Sequence, residues 1–184
     1  QILSLRMLLR KYYAISDMLT ELKNRLCTDL YLLFPGYLDV FSNPFGNASL
    51  KILRDYQTPQ AIRSENPDTL AQMIAKTSRK GLIWGQKKVA KLVEMAQLCL
   101  SMPMEFSILS RKIQYHLDGI ETFQANLEGL KDELAGMISN VDFPKNIRDS
   151  IILLEAMPGI GFLTAATILA EIGDFSRFHS PKAL

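Results

Sequence analysis

The sequence predicts an all-α protein built from long helices, and three observations lead to this fold class. Over long stretches the apolar residues recur at alternating three- and four-residue steps, the spacing that aligns them on one face of an α-helix. No segment alternates apolar and polar residues over the length of a strand. The 184 residues include only 10 Gly and 8 Pro and are 48% hydrophobic, which excludes collagen-like and low-complexity classes.

The first predicted helix begins near the N-terminus and ends at Pro35-Gly36, because proline cannot continue a helix. Its apolar stripe consists of Leu5, Leu8, Tyr12, Ile15, Leu19, Leu22, Leu26, Leu30 and Leu33. A turn-rich connector over 42–47 follows. Three short helices are then predicted over about 48–56, 58–63 and 67–78, the last of them capped by Asn66.

The middle of the chain predicts a helix over 84–100, after which Pro103 either starts a new helix or kinks a continuous one. The next apolar seam consists of Phe106, Leu109, Ile113, Leu117, Ile120, Phe123, Leu127, Leu130, Leu134 and Met137. Its spacing averages roughly 3.5 residues, which is typical of a coiled coil. A helix on the order of 50 Å long cannot bury such a seam in a small domain. We therefore expect another long helix or a second subunit against it, and favour a homodimer.

The sharpest local signal is a tight turn between two predicted helices, one from Pro144 through Ala156 and one over 162–172. Glycine tolerates positive φ, so the glycines of the turn are expected to reverse the backbone while Ile160 fills the space between the helices. The first N–H groups of the second helix would then bind an anion such as a backbone phosphate. The pattern resembles a helix-hairpin-helix motif; the alternative is a merely structural turn. The candidate DNA-binding residues here are Pro158, Gly159, Ile160, Gly161, Leu163, Thr164 and, beyond the hairpin, Lys182.

A second candidate nucleic-acid surface is a run of cations with no acidic residue between Asp68 and Glu94, on a chain whose net charge is only +2. Trp84 lies inside this run and offers a stacking surface for a base. Phosphate contact is the functional interpretation. The alternative is a solvated face with Trp84 packed in the core. The cations are Lys76, Arg79, Lys80, Lys87, Lys88 and Lys91.

Several chemistries have no counterpart in the sequence. It holds no nucleotide-binding glycine motif, and its two cysteines and two histidines do not have the spacing of a zinc site or a disulfide scaffold. Glu171 and Asp174 are a close carboxylate pair, which we interpret as surface or capping groups in preference to a metal site. His116 is expected beside the seam and His179 in a loop. Without a membrane-length apolar run or a signal-peptide layout, the prediction is a cytoplasmic protein with no membrane partner.

The residues from Leu154 to Phe178, with Ser180-Pro181-Lys182 after them, resemble the start of the C-terminal domain of insertion-sequence transposases of the Piv-invertase-like DEDD type. The run from Leu5-Arg6 to Asn24-Arg25-Leu26 is similar to the helix that follows the RuvC-like catalytic domain of that family. The resemblance implies four parts. These are an exit helix of the RuvC-like domain over 1–42, a helical connector over 43–101, a coiled-coil helix over 102–140, and a truncated C-terminal transposase domain over 141–184.

The resemblance also implies that the chain is an internal fragment, which agrees with its start at Gln1 in helical spacing and its end in a helix-opening pattern. The acidic tetrad of the family would precede it and the nucleophilic serine would follow it. Ser180 does not match that serine, and Asp17, Asp29, Asp39 and Asp55 do not match the tetrad. We therefore assign no catalytic residue and no metal ligand, and expect this fragment to be inactive alone.

For the intact protein, the resemblance implies an enzyme that cuts and rejoins DNA during insertion-sequence transposition. It would use a divalent metal such as Mg²⁺ and a serine nucleophile, and an RNA encoded by the element is a candidate guide. Two other classes stay open from the residues alone. One is a non-enzymatic helix-hairpin-helix DNA-binding or repair-accessory protein, and the other is a coiled-coil scaffold.

Overall fold

The computed structural model describes residues 1–99 and 106–173, and within these ranges the chain forms nine α-helices and no strand. The all-α prediction is confirmed. Each predicted helix is present with ends within about two residues of those expected, apart from the four-residue α2, which has no periodicity to reveal it. The helices are α1 (Ile2–Leu33), α2 (Tyr37–Val40), α3 (Asn47–Asp55), α4 (Pro59–Ser64), α5 (Pro67–Ser78), α6 (Leu82–Cys99), α7 (Phe106–Ser139), α8 (Lys145–Glu155) and α9 (Phe162–Ile172).

Local sequence explains where the short helices begin. The Oγ1 atom of Thr58 accepts a hydrogen bond from the Ala61 N–H over 3.2 Å, which satisfies a donor that the first turn of α4 leaves free. Asn66 caps α5 in the same way, as predicted: its Oδ1 atom accepts from the Asp68 N–H over 2.8 Å. Both helices carry proline in the first turn, where no N–H is required.

The chain forms two compact units. The first contains residues 1–18 and 123–184, of which the structure describes those up to 173, and the second contains residues 19–122. The limits of these units fall inside α1 and α7, whereas the domain limits that the sequence suggested fall between elements.

The core of the first unit is formed by the early part of α1, the late part of α7, and α8 and α9. Three alanines of α9 are fully buried, which allows the close approach of α8 that their size predicts. Arg148 of α8 caps the C-terminal end of α7, because its Nε atom donates to the Ile138 carbonyl over 2.8 Å. The buried residues are Leu5, Leu9, Leu134, Ile138, Phe143, Ile147, Ile151, Ala165, Ala166, Leu169 and Ala170.

The core of the second unit surrounds Tyr37, which is fully buried and donates its hydroxyl proton to the Ser49 carbonyl over 2.9 Å. Helices α5 and α6 pack closely against each other. At Gly85 an added Cβ atom would lie 2.4 Å from the carbonyl oxygen of Ala71, so only glycine fits there. The small residue therefore sets the distance between these two helices.

The apolar seam of α7 is buried within the single chain. In the second unit Leu117 and Ile120 are at most 2% exposed, and an added Cβ on Gly119 would lie 2.6 Å from Leu22 of α1. In the first unit Leu134 joins one core cluster with Leu5. The long partner is therefore α1. Of the two partners that the sequence leaves open, the structure shows the long helix of the same chain, because α1 is long enough to cover what α6 cannot. The homodimer stays a prediction.

A buried carboxylate also ties α1 to α7 in the second unit. Asp29 is 3% exposed and accepts hydrogen bonds from Lys112 Nζ and from His116 Nε2, each 2.8 Å long. Burial of this carboxylate is tolerable because both of its oxygens are bonded. His116 thus lies on the flank of the seam, as expected, with a partner that the sequence pattern does not indicate. None of the described helices is long and apolar enough to cross a membrane.

Candidate nucleic-acid interface

The turn between α8 and α9 folds back over residues 156–161. Gly159 has a φ of 87°, in the left-handed region where only glycine is unstrained. The Ile160 N–H donates to the Met157 carbonyl over 3.1 Å and closes the turn. The Ile160 side chain is partly buried against the core of the first unit, as its position between two glycines predicts. Pro158 and Gly159 themselves are exposed.

The second glycine of the turn does not have the backbone conformation expected of it. Gly161 has φ −90° and ψ 169°, an extended conformation that any residue adopts. An added Cβ atom would meet nothing within 4 Å. The expectation that both glycines use positive φ is therefore wrong at Gly161, whose backbone and surroundings would accept a side chain.

Gly161 instead provides an uncapped start for α9. It makes no side-chain cap hydrogen bond, and its carbonyl accepts the first helical bond from the Ala165 N–H over 2.9 Å. The N–H groups of the three preceding residues, 162–164, have no acceptor inside the helix. Together with the helix dipole they form a positive helix end.

This helix end borders an open depression of about 450 Å³. Its other wall is part of α7, which contributes Lys131, Asp132 and Ala135. The Lys131 ammonium lies 3.4 Å from Glu128 and places a positive charge at the edge of the depression. The sequence pattern gives no indication of Lys131, because only the packing of α7 brings it near the hairpin. Leu163 is half-buried and Thr164 is exposed at the same helix end.

The opposite end of α9 is held by two arginines of α1. Arg6 donates from Nε to the Ala170 carbonyl over 2.7 Å. Arg10 binds both oxygens of Glu171, and this hydrogen-bonded guanidinium lowers the pKa of the Glu171 carboxyl. The side chain of Glu171 is thus an ion-pair partner, while Asp174 lies outside the described residues. Across residues 1–99 and 106–173, no group of three or more His, Cys, Asp or Glu side chains is arranged to hold a metal ion.

The predicted cation run lies in the second unit, on the end of α5, the following loop and α6. The loop is tight: Arg79 has φ 58° and Gly81 φ 78°. The exposed members of the run are Lys76, Arg79, Lys80, Lys87 and Lys91, whereas Lys88 is half-buried. The structure thus brings these side chains to one stretch of the second unit and leaves five of the six in solvent.

Trp84 is half-buried in the middle of the run, a state between the two alternatives that the sequence leaves open. The Lys80 and Lys88 Nζ atoms lie 4.9 and 5.2 Å from its ring centroid, within cation–π distance. Its ring is 6.3 Å from that of Phe41. Lys88 also donates to the Val40 carbonyl. The pKa of Lys88 is lowered, mainly by burial and to a smaller extent by repulsion from Lys91 and Lys80.

Several of the sequence predictions fall on residues that the structure does not describe. Lys182 lies in the segment 174–184, so its place beside the hairpin stays a prediction. His179 and Ser180 are in the same segment, and Pro103 lies in the other, 100–105.

A protein-family model described as the transposase IS116/IS110/IS902 family matches residues 152–184. The matched segment includes the end of α8, the hairpin and all of α9. This match supports a transposase at the level of the family. Comparisons with curated proteins and with solved structures gave no significant match.

Proposed function

We propose that this chain is part of an insertion-sequence transposase of the DEDD type and that its hairpin binds the sugar-phosphate backbone of DNA. The observation that carries the proposal is the overlap of the family match with the hairpin. Residues 152–184 match a transposase family, and the same segment contains a helix start whose N–H donors open onto a depression.

The start of α9 presents a positive charge to a phosphate. A phosphate receives hydrogen bonds from the N–H groups of residues 162–164 and is favoured by the positive end of the helix dipole. Lys131 borders the same depression and adds a cation. Asp132 opposes it, so the donors of the backbone carry most of the binding. Backbone contacts of this kind fix the position of DNA without reading its sequence.

The exposed cations between Lys76 and Lys91 supply further phosphate contacts in this proposal. Each phosphate that they neutralise releases counterions, so that the logarithm of affinity falls with the logarithm of salt concentration by roughly 0.9 per contact on duplex DNA. We expect weak, non-specific binding with a steep salt dependence. Lys182 adds one contact if it lies beside the hairpin.

We assign a binding role to this chain and no catalytic step. The cutting and rejoining chemistry of such transposases requires converging acidic groups, a divalent metal and a serine nucleophile. The described residues do not fit a metal centre, since Glu171 is bound by Arg10 and no other acidic cluster is present among them. A guide-like RNA, if the intact protein uses one, would meet the same positive surfaces.

Substitution of Gly161 tests the hairpin directly. Gly161→Asp and Gly161→Ser both fit the extended backbone, and both provide an N-cap for α9 that stabilises the helix. Only aspartate adds a negative charge where the phosphate would bind. Both caps compete with the phosphate for an N–H donor of α9, but only aspartate also repels it, so we expect Gly161→Asp to lower DNA affinity at low salt by about tenfold more than Gly161→Ser does.

Thermal unfolding of the same samples provides the control for folding. Both variants should unfold at or above the temperature of the wild type, so a loss of binding cannot be a loss of structure. Equal DNA affinity for the aspartate and serine variants would contradict the proposed site. A wild-type chain that binds no DNA at low salt would contradict the proposed function and favour a scaffold.

A further inference from the structure

A pocket of about 320 Å³ in the second unit is separate from the hairpin. It lies between the start of α3, the loop that precedes α3, and the junction of α5 with α6. One side is aromatic and the other is polar, a combination that the sequence pattern does not reveal. The lining residues are Phe41, Ser42, Asn43, Gly46, Asn47, Ala48, Ser49, Thr77, Ser78, Lys80 and Trp84.

The aromatic side is formed by Trp84 and Phe41, whose rings are tilted by 54°. Lys88 is held beside both rings, because its Nζ atom donates to the Val40 carbonyl and lies 5.6 Å from the Phe41 ring centroid. Lys80 differs from Lys88: it is exposed, and its Nζ atom lies 4.9 Å from the Trp84 ring centroid. Lys80 can therefore leave the ring for a ligand, whereas Lys88 keeps the ring in place.

The polar side of the pocket supplies hydrogen-bonding groups from three elements. Asn43 accepts the Phe45 N–H with its Oδ1 atom over 3.0 Å, which leaves its amide N–H groups for a ligand. The Thr77 hydroxyl donates to the Met73 carbonyl over 2.8 Å and can still accept. The first turn of α3 follows Gly46, which provides no side-chain cap, so its N–H groups add donors for an anion.

We propose that this pocket binds one unpaired nucleotide of a single-stranded nucleic acid. The base would stack on Trp84, and the phosphate would take the charge of Lys80 and the N–H groups at the start of α3. Aromatic stacking combined with cations is how proteins hold single strands without strict sequence preference. The pocket volume is near the lower end of the range for small ligands, roughly 300–1,000 Å³, which suits one nucleotide.

A base inside a duplex cannot enter this pocket, because its faces are covered by neighbouring bases. The pocket therefore selects unpaired strands, whereas the hairpin contacts backbone alone. This inference deepens the proposed nucleic-acid function and rests on it for the class of ligand. The two sites lie in different units of the chain and can be inactivated separately.

Trp84 is the only tryptophan in the sequence, so its fluorescence reports on this pocket alone. We would titrate the full chain at one salt concentration with oligo(dT), oligo(rU) of equal length, a duplex of equal length, and the mononucleotide dTMP. Fluorescence anisotropy of labelled strands would measure total binding in parallel. We expect both single strands to quench the fluorescence of Trp84, and to do so at lower concentrations than either the duplex or dTMP.

Lys80→Ala should raise the midpoint concentration of the quenching titration about tenfold. The matched control is Arg63→Ala, which removes an exposed cation of α4 that does not line the pocket and should leave the midpoint of quenching within about twofold. Circular dichroism confirms that both surface variants stay folded. Gly161→Asp should reduce the binding of duplex and single strands through the hairpin, while single strands still quench Trp84 more strongly than the duplex does.

The outcomes separate this inference from the function on which it rests. Anisotropy that shows nucleic-acid binding without quenching of Trp84, or with equal quenching by duplex and single strand, would overturn the pocket and leave the hairpin function intact. Quenching by dTMP as tight as by the strands would identify a free nucleotide as the ligand and overturn the single-strand assignment. No binding of any nucleic acid by either measurement would overturn both.

Discussion

Arg10 holds the carboxylate of Glu171 in two parallel hydrogen bonds, from Nε to Oε1 and from Nη2 to Oε2, each 2.9 Å long. This fork geometry is the strongest form of arginine–carboxylate contact. One turn earlier in α1, Arg6 bonds the backbone carbonyls of Ala170 and Glu171. Both cations lie at the negative end of the α9 dipole, where positive charge stabilises a helix. The hairpin end of α9 is thereby left as its free positive end.

The first prediction concerns the pH dependence of this contact. Because the folded-state pKa of Glu171 is lowered by Arg10, the carboxylate stabilises the fold above its unfolded pKa and loses that contribution as the pH falls through the folded pKa. We expect Glu171→Gln to lower the unfolding temperature at pH 7. The difference from wild type should vanish well below pH ~4, where the unfolded carboxyl is also protonated.

Thermal unfolding between pH 2 and 7 measures this effect. Glu155→Gln is the control, because Glu155 is exposed at the end of α8 and forms none of the ion pairs found among the described residues. A Glu171→Gln difference that is the same at every pH would mean that the side chain acts through packing and not through its charge.

The second prediction compares glycines in two helices. At Gly85 an added methyl group would collide with the backbone of Ala71, so Gly85→Ala should destabilise the chain by about 1–3 kcal/mol despite the better helix propensity of alanine. At Gly129 an added Cβ meets nothing within 4 Å, so Gly129→Ala should stabilise by about 0.5–1 kcal/mol. Urea unfolding of the two variants measures both changes. A Gly85→Ala variant as stable as the wild type would refute the close contact between α5 and α6.

The sequence predicts the helices well because their signals are local. The cap at Asn66, the prolines in first turns and the apolar spacing of α7 act over a few residues, and each is present in the structure. The turn at Gly159 is local in the same sense. The fold class could therefore be derived without any knowledge of packing.

Tertiary partners could not be derived in this way. Apolar spacing shows that the α7 seam is buried but does not identify α1 as its partner. Lys131 near the hairpin and Phe41 near Trp84 are distant in sequence from the sites that they complete. The sequence does not predict the φ of Gly161, because a Gly-x-Gly pattern does not distinguish a left-handed residue from an extended helix cap.

The third prediction follows from the partner of the seam. Ile120 is fully buried inside the chain, so Ile120→Ala should lower the free energy of unfolding by about 2–5 kcal/mol at any protein concentration. Tyr115, on the exposed side of the same helix at 68% exposure, is the control, and Tyr115→Ala should change stability by no more than about 0.5 kcal/mol.

Urea unfolding at several protein concentrations and sedimentation measure this prediction together. The alternative of a dimer through the seam predicts a different result, in which Ile120→Ala releases folded monomers and stability rises with concentration. Folded monomers that form only in the variant would restore the seam as a subunit interface.

The last prediction separates the two glycines of the hairpin. Gly159 has a φ of 87°, so Gly159→Ala forces a side chain into the left-handed region at a cost of roughly 1–2 kcal/mol, although the space around it is open. Gly161 is extended, so Gly161→Val should change stability little. The effects on DNA affinity should be the reverse, with the larger loss in Gly161→Val. The valine lies beside the N–H donors of α9 and crowds an incoming phosphate. We expect Gly159→Ala to keep its DNA affinity per folded molecule and Gly161→Val to lose several-fold. Thermal unfolding ranks the two variants by stability, and DNA titration ranks them by affinity. If each variant lost stability and affinity in proportion, the hairpin would be only a structural turn.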